Sequence, residues 1–239
     1  PMTTPPIGIS TGLFKKKYPD TEINKMLAHA KTLHIDALEI LFARPSMLKS
    51  TFSHEEIEWI KSLQYFAIHS PFFTDAPGYE DIIYNDPAHP ALKDIAHVII
   101  GLNPSVCIIH PDLVKDERIW HDPEIPFAIE NLKRKRNFSI EQIEALLLKH
   151  PHLKLVLDTE HAADWDEQTL QHLIDTFGDR IAHIQLSDGD RGYIDFLNNS
   201  NLSRFEPLRK LTCPIIIESK PSNFDQLPNI IERVRDFFS

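Results

Sequence analysis

Six short apolar stretches each close on a residue able to bind a cation or move a proton. They are FAIH ending at His69, VCIIH at His110, PFAIE at Glu130, LKLVLD at Asp158, AHIQ at Gln185 and PIIIE at Glu218. Each stretch is rich in Ile, Val, Leu or Phe, the pattern of a strand buried on both faces. A polar group closing such a strand is costly to bury without a partner. Its recurrence from strand to strand predicts that the ends of one sheet converge on a common site. Glu130, Asp158, Gln185 and Glu218 together offer three carboxylates and one amide oxygen. That hard-oxygen set suits Mg2+ or Mn2+, with Zn2+ left open. His183 stands two residues before Gln185, so the strand period puts both on one face, and either could supply the ligand.

The elements that must position these residues alternate along the whole 239-residue chain. The expected strands are 7–10, 36–42, one ending at His69, one at His110, one at Glu130, one at Asp158, 181–186 and 215–218. Between them fall helix-like segments at about 21–33, 90–102, 167–177 and 227–238. Two further helices open on Ser53 with Glu56 and on Ser139 with Gln142, a capping-box spacing. Eight strand–helix repeats with buried strands predict one (β/α)8 barrel spanning residues 1–239, with the chemistry where strands end. The segment SPFFTDAPGYEDIIYNDP after His69 is long for a barrel loop, and such loops tend to line a site. An open doubly wound sheet would show GxGxxG in its first turn, which IGISTGLF lacks. With seven glycines in all, a glycine-built phosphate cradle is not expected.

The formal net charge of −10 disfavours a broad, sequence-independent grip on nucleic acid or an acidic membrane. No apolar run approaches the ~20 residues that span a membrane, and the first residues lack the basic and apolar regions of a secretory signal. A cytoplasmic location is therefore expected. Cys107 and Cys213 both fall in expected strands and read as buried thiols. His29, His34, His54, His150 and His172 fall in helix or turn contexts and read as surface residues. A basic run, Lys133 to Arg136, follows Glu130. It reads either as a solvated face or as a phosphate clamp, with Lys15, Lys16, Lys17 and Lys220 at the same end of the barrel. Phe14, Phe42, Phe72, Phe73 and Trp165 follow strands and could wall a pocket.

These pieces resemble the xylose isomerase-like barrel superfamily, which holds sugar isomerases, epimerases and endonuclease IV. The carrying motifs are IHSP at His69, IIHP at His110, AIEN at Glu130, LDTEH from Asp158 to His161, HIQLSD from His183 to Asp188 and IIES at Glu218. The resemblance implies metal ligands at Glu130, Asp158, Gln185 and Glu218, and a substrate or second-metal role for His161. Hydroxypyruvate isomerase-like members also place Gln at the strand-seven position. His69 and His110 match the pair that helps bind a further zinc in endonuclease IV-like enzymes. A third zinc there needs a histidine after strand seven, and this chain has none beyond His183. The family's Gly-Glu-Gly loop is replaced by IDFLNNSNLSRF.

The resulting expectation is an enzyme: a metal-dependent isomerase or epimerase of a small sugar, sugar phosphate or hydroxy-carbonyl compound. Glu130 and Glu218 would transfer protons, and His161, His183, Arg191, Lys133, Arg134 and Lys220 would contact substrate. The alternatives are an endonuclease IV-like phosphodiesterase on abasic DNA and a non-catalytic barrel with a binding role. The sequence leaves the oligomeric state open.

Overall fold

A computed structural model describes residues 4–187, 202–218 and 223–239. Eight parallel strands close on themselves in chain order: β1 (Ile7–Ser10), β2 (Ala37–Leu41), β3 (Tyr65–His69), β4 (Val106–Ile109), β5 (Phe127–Glu130), β6 (Lys154–Asp158), β7 (Ile181–Leu186) and β8 (Ile215–Ile217). β8 pairs with β1, so the ring has no edge. Every strand residue except Lys154 is buried. That explains why these strands carry continuous apolar runs rather than alternation.

Each strand turns one set of side chains into the barrel and the other towards the helices. The outward set belongs to a large core with the helix faces, including Ile9, Leu38, Ile68, Ile109, Ile129, Leu157, Ile184 and Ile217. The inward set is a second, smaller cluster of mostly short residues: Ala37, Tyr65, Ala67, Val106, Ile108, Ala128, Val156, Ala182 and Ile216. Gly8 completes it. A Cβ there would lie 1.9 Å from the Ala37 carbonyl oxygen, so β1 and β2 pass too close for any side chain. Two residues along from these inward positions come the polar groups Ser10, Glu39, His69, His110, Glu130, Asp158 and Glu218. A period of two therefore lifts each strand from packing into chemistry.

The helices are α1 (Ile23–Lys31), α2 (His54–Ser62), α3 (Pro90–Leu102), α4 (Ile140–Lys149), α5 (Thr159–Ala163), α6 (Thr169–Phe177) and α7 (Leu227–Phe238). Both expected capping boxes are present, at Ser53 with Glu56 and at Ser139 with Gln142. α6 begins at Thr169 rather than Glu167. The Asp166 carboxylate takes the amides of Gln168 and Thr169 at 2.9 and 2.7 Å, and this local turn holds the preceding residues out of the helix. Gly178 follows α6 but keeps a right-handed φ of −46°, and the chain runs on as a 3-10 turn. Left-handed caps fall at Asn103, φ 52°, after α3 and at Asn137, φ 54°, after the 3-10 turn Arg134–Arg136.

Among the described residues two connections show 3-10 structure in place of an α-helix, β4–β5 and the described part of β7–β8 (Leu202–Lys210). Between β4 and β5 the chain makes only two 3-10 turns, Pro111–Leu113 and Glu117–His121. Cys213 also differs from expectation: it lies two residues before β8 and is half-buried, and both cysteines are free. The long segment after β3 is tied down rather than loose. Arg44 donates to the carbonyls of Thr74, Ala76 and Gly78, and Arg136 bridges Asp81 and Asp112 at 2.8 and 2.6 Å. Among the described residues no helix is long and apolar enough to cross a membrane.

Candidate functional site

Glu130 closes β5 and is 2% exposed. Three histidines surround its carboxylate. His69 Nε2, from the end of β3, lies 3.1 Å from Oε2, and His110 Nε2, just past β4, lies 3.4 Å from the same oxygen. His161 Nδ1, on α5, lies 2.8 Å from Oε1 and 2.9 Å from the Asn131 carbonyl. Burial works against charge on Glu130, but the contacts with His110, His161 and His69 prevail and hold its carboxyl well below the usual range. His69 also faces the Ser70 carbonyl through Nδ1 at 2.9 Å, so both ring nitrogens meet acceptors. Burial opposes its protonation, yet the bond to Glu130 leaves His69 raised.

Asp158 closes β6 and caps α5, accepting the His161 amide at 2.8 Å. Its Oδ2 lies 3.6 Å from His161 Nδ1. Burial, only partly offset by His161, pushes the Asp158 carboxyl up to about 6. His161 loses by burial and gains more from Asp158 and Glu130, reaching about 9. Glu218 follows β8, its amide bonded to the Leu186 carbonyl at 3.1 Å. Burial and the charges of Glu39, Asp158 and Glu130 push its carboxyl well up, and Lys15 only partly counters them. Such a concentration of carboxylates is electrostatically suited to a cation.

Gln185 supplies the sharpest detail. Its side chain is fully buried, its Nε2 donates to Glu39 Oε2 at 3.1 Å, and its Oε1 has no hydrogen-bond partner. A buried acceptor left unmatched costs about 1–3 kcal/mol. Strand pairing sets Gln185 beside Asp158. An amide oxygen held bare next to carboxylates fits a divalent ion that takes oxygen ligands, so the residues present fit a metal. His183 has both nitrogens engaged instead, Nδ1 with the Tyr65 hydroxyl at 2.8 Å and Nε2 with Glu39 Oε2 at 3.2 Å.

Glu39 itself escaped the sequence reading. It sits inside ALEIL on β2, is 0% exposed, and accepts from Ser10 Oγ at 2.9 Å as well as from His183 and Gln185. Burial disfavours its charge, but the His183 bond outweighs this and lowers its pKa. The signal was present: a lone carboxylate at the centre, not the end, of an apolar run.

Two groups here bring three ligand atoms within 4.8 Å of one another: His69 with His110 and Glu130, and Glu130 with Asp158 and His161. Glu218 joins neither, although it shares the field of their carboxylates. Phe72 stacks on His110 at 5.1 Å between ring centres and carries Lys15 Nζ 5.3 Å above its ring. The basic run is largely engaged in structure. Lys133 pairs with Glu160, Arg134 lies 5.5 Å over the Trp165 ring, and Arg136 holds Asp81 and Asp112. Arg191 and Lys220 lie outside the described residues.

The chain folds as a (β/α)8 barrel, and residues 116–210 match the family model for the xylose isomerase-like TIM barrel. No curated protein matches the chain by sequence. Among solved structures it is similar to D-allulose 3-epimerase from Methylomonas sp. in complex with D-allulose (19% identity, 92% of this chain and 85% of that one, TM-score 0.61). It is also similar to the 3-keto-D-glucoside 4-epimerase YcjR from E. coli (12%, 97% and 98%, 0.58). A third is the probable 3-DHS dehydratase AsbF of petrobactin synthesis from Bacillus anthracis (12%, 96% and 97%, 0.63). At such identities the likeness establishes the fold, and one barrel serves different reactions.

Proposed function

We propose that this chain is a divalent-metal-dependent isomerase or epimerase of a small sugar or related hydroxy-carbonyl compound. The observation that carries the reading is the unmatched Gln185 amide oxygen at the strand position paired with Asp158. Glu130, Asp158, Gln185 and Glu218 would hold the ion, with Mg2+ or Mn2+ favoured by their oxygen donors. When bound, the ion would polarise the substrate carbonyl and make the neighbouring carbon-bound hydrogen acidic.

The protein's own groups would then move protons. Glu130 and Glu218 enter from β5 and β8, three places apart around the ring. One removes the proton from carbon and the other returns a proton from the opposite side, which inverts the centre. Glu130, held ionised by His69, His110 and His161, is the natural acceptor. Glu218, on the far side of the ring, would supply the second proton position, and a bound cation would offset the burial and carboxylate neighbours that raise its pKa in the metal-free protein. His161 would steady Glu130 and reach a substrate oxygen. Phe72 and Lys15 would flank the sugar.

The test is deuterium exchange. Ketoses and sugar phosphates are incubated with the Mn2+-loaded enzyme in D2O and followed by NMR. Glu130→Gln and Glu218→Gln are each expected to lower kcat/KM on the substrate found by about 10²–10⁴-fold. Wild-type activity in Glu130→Gln would overturn the assignment. The His69, His110 and Glu130 group favours one second reading, a two-ion phosphodiesterase. Cleavage of an abasic oligonucleotide, lost in Glu218→Gln, with no exchange into any sugar, would establish that reading instead.

A further inference from the structure

A second cluster of imidazoles lies at the opposite end of the barrel, where strands begin. His121 closes the 3-10 turn Glu117–His121 before β5, and His150 and His152 flank Pro151 in the link from α4 to β6. One ligand atom from each falls within 4.8 Å of the others, and their ring centres are 5.1, 5.6 and 5.9 Å apart. His150, read from sequence as a surface residue, is only 3% exposed, and neither of its ring nitrogens has a hydrogen-bond partner.

A buried imidazole with both nitrogens unmatched is a rare and costly arrangement. Ring packing alone does not relieve it. A cation bound to one nitrogen would. The companions are suited to the same task. His152 Nε2 lies 2.7 Å from the Trp120 carbonyl, so its N–H donates there and the lone pair is left on Nδ1. A histidine anchored through one nitrogen to a carbonyl is the usual arrangement of a metal ligand. His121 is exposed and gives solvent access. The charged groups beside the cluster are Glu117 and Lys149, which pair with each other at 2.5 Å. Burial, then His121, His152 and Lys149, lower the His150 pKa against the opposing pull of Glu117.

We propose that His121, His150 and His152 form a binding site for a borderline transition-metal ion, Zn2+, Cu2+, Ni2+ or Co2+, separate from the oxygen-lined site at the other end. Three imidazoles select these ions over Mg2+ and Mn2+. The position assigns the ion a structural task. The β4–β5 connection consists only of short 3-10 turns, with no α-helix to brace it. An ion there would staple the end of that connection to the entry of β6. The fourth coordination place remains for water or for Glu117.

The test begins from metal-stripped protein dialysed against micromolar ZnCl2 at pH 7.5, with bound zinc counted. Wild type is expected to hold one more zinc than His121→Ala, whose altered side chain is exposed. Zinc is expected to raise the Tm of wild type more than that of His121→Ala. With Cu2+, the electron paramagnetic resonance spectrum of wild type is expected to show coupling to imidazole nitrogens. That coupling should weaken in His121→Ala and His152→Ala while Glu130→Gln keeps it. Equal zinc counts and affinities in wild type and His121→Ala would overturn the site. So would a Cu2+ signal that vanishes in Glu130→Gln and persists without His121.

Discussion

Glu39 is the residue on which the proposed cation site leans without its touching the cation. One carboxylate oxygen takes Ser10 Oγ at 2.9 Å, and the other takes His183 Nε2 at 3.2 Å and Gln185 Nε2 at 3.1 Å. In Glu39→Gln the new amide group replaces one oxygen with a donor. The Ser10 hydroxyl can turn to accept from it, and the remaining oxygen still faces His183 and Gln185. The His183 and Gln185 donors thus keep a partner, the Ser10 hydroxyl proton gives up its bond to Glu39, and no cavity opens. What is lost is charge. A hydrogen bond to a charged acceptor contributes about 1.5–3 kcal/mol, against about 0.5–1.5 for a neutral one. The hold on the Gln185 amide therefore weakens by roughly 1 kcal/mol or more, and the amide becomes free to turn its NH2 towards the ion. Loss of such a supporting contact typically costs 10–100-fold in metal affinity, about 1.4–2.7 kcal/mol. The folded state is relieved of a buried charge at the same time, so stability should change little. Titration of free Mn2+, an ion that imidazoles bind weakly, reads the oxygen-lined site selectively. Glu39→Gln is expected to raise Kd by 10–100-fold with a near-native Tm. A Kd within twofold of wild type in a fully folded variant would refute the positioning role.

Other expectations follow from the same geometry. His161 has a folded pKa of about 9, above its ordinary 6.5. Its protonated form therefore stabilises the metal-free protein fully below about pH 6.5, and that contribution fades as pH rises through about 9. The loss is on the order of 3 kcal/mol, and His161→Gln should flatten the Tm–pH curve of metal-free protein in that window. Gly8→Ala would place a Cβ 1.9 Å from the Ala37 carbonyl oxygen, against backbone that cannot swing away. Its Tm should fall well beyond the ordinary effect of a point substitution, and a native-like Tm would show that β1 and β2 can part.

The barrel was legible in the chain because buried parallel strands leave an unmistakable trace, short apolar runs each stopped by one polar residue. LKLVLD and PFAIE announce both a strand and its functional end. The capping boxes at Ser53 and Ser139 are equally local, and they appear where the residues predict. What spacing could not reveal is which groups meet. Glu39 lies in mid-strand, and its bonds to His183 and Gln185 span 144 and 146 residues. His150 looked like a surface residue because helix ends usually are, and only the closure of the barrel buries it against His121 and His152. The basic run after Glu130 looked free for a phosphate until the fold brought Glu160, Asp81 and Asp112 to it. Local sequence sets backbone state through propensity, capping and hydrophobic period. Partnership, burial and charge balance arise from long-range closure, and there the same residue can become a ligand, a support or a surface ion pair.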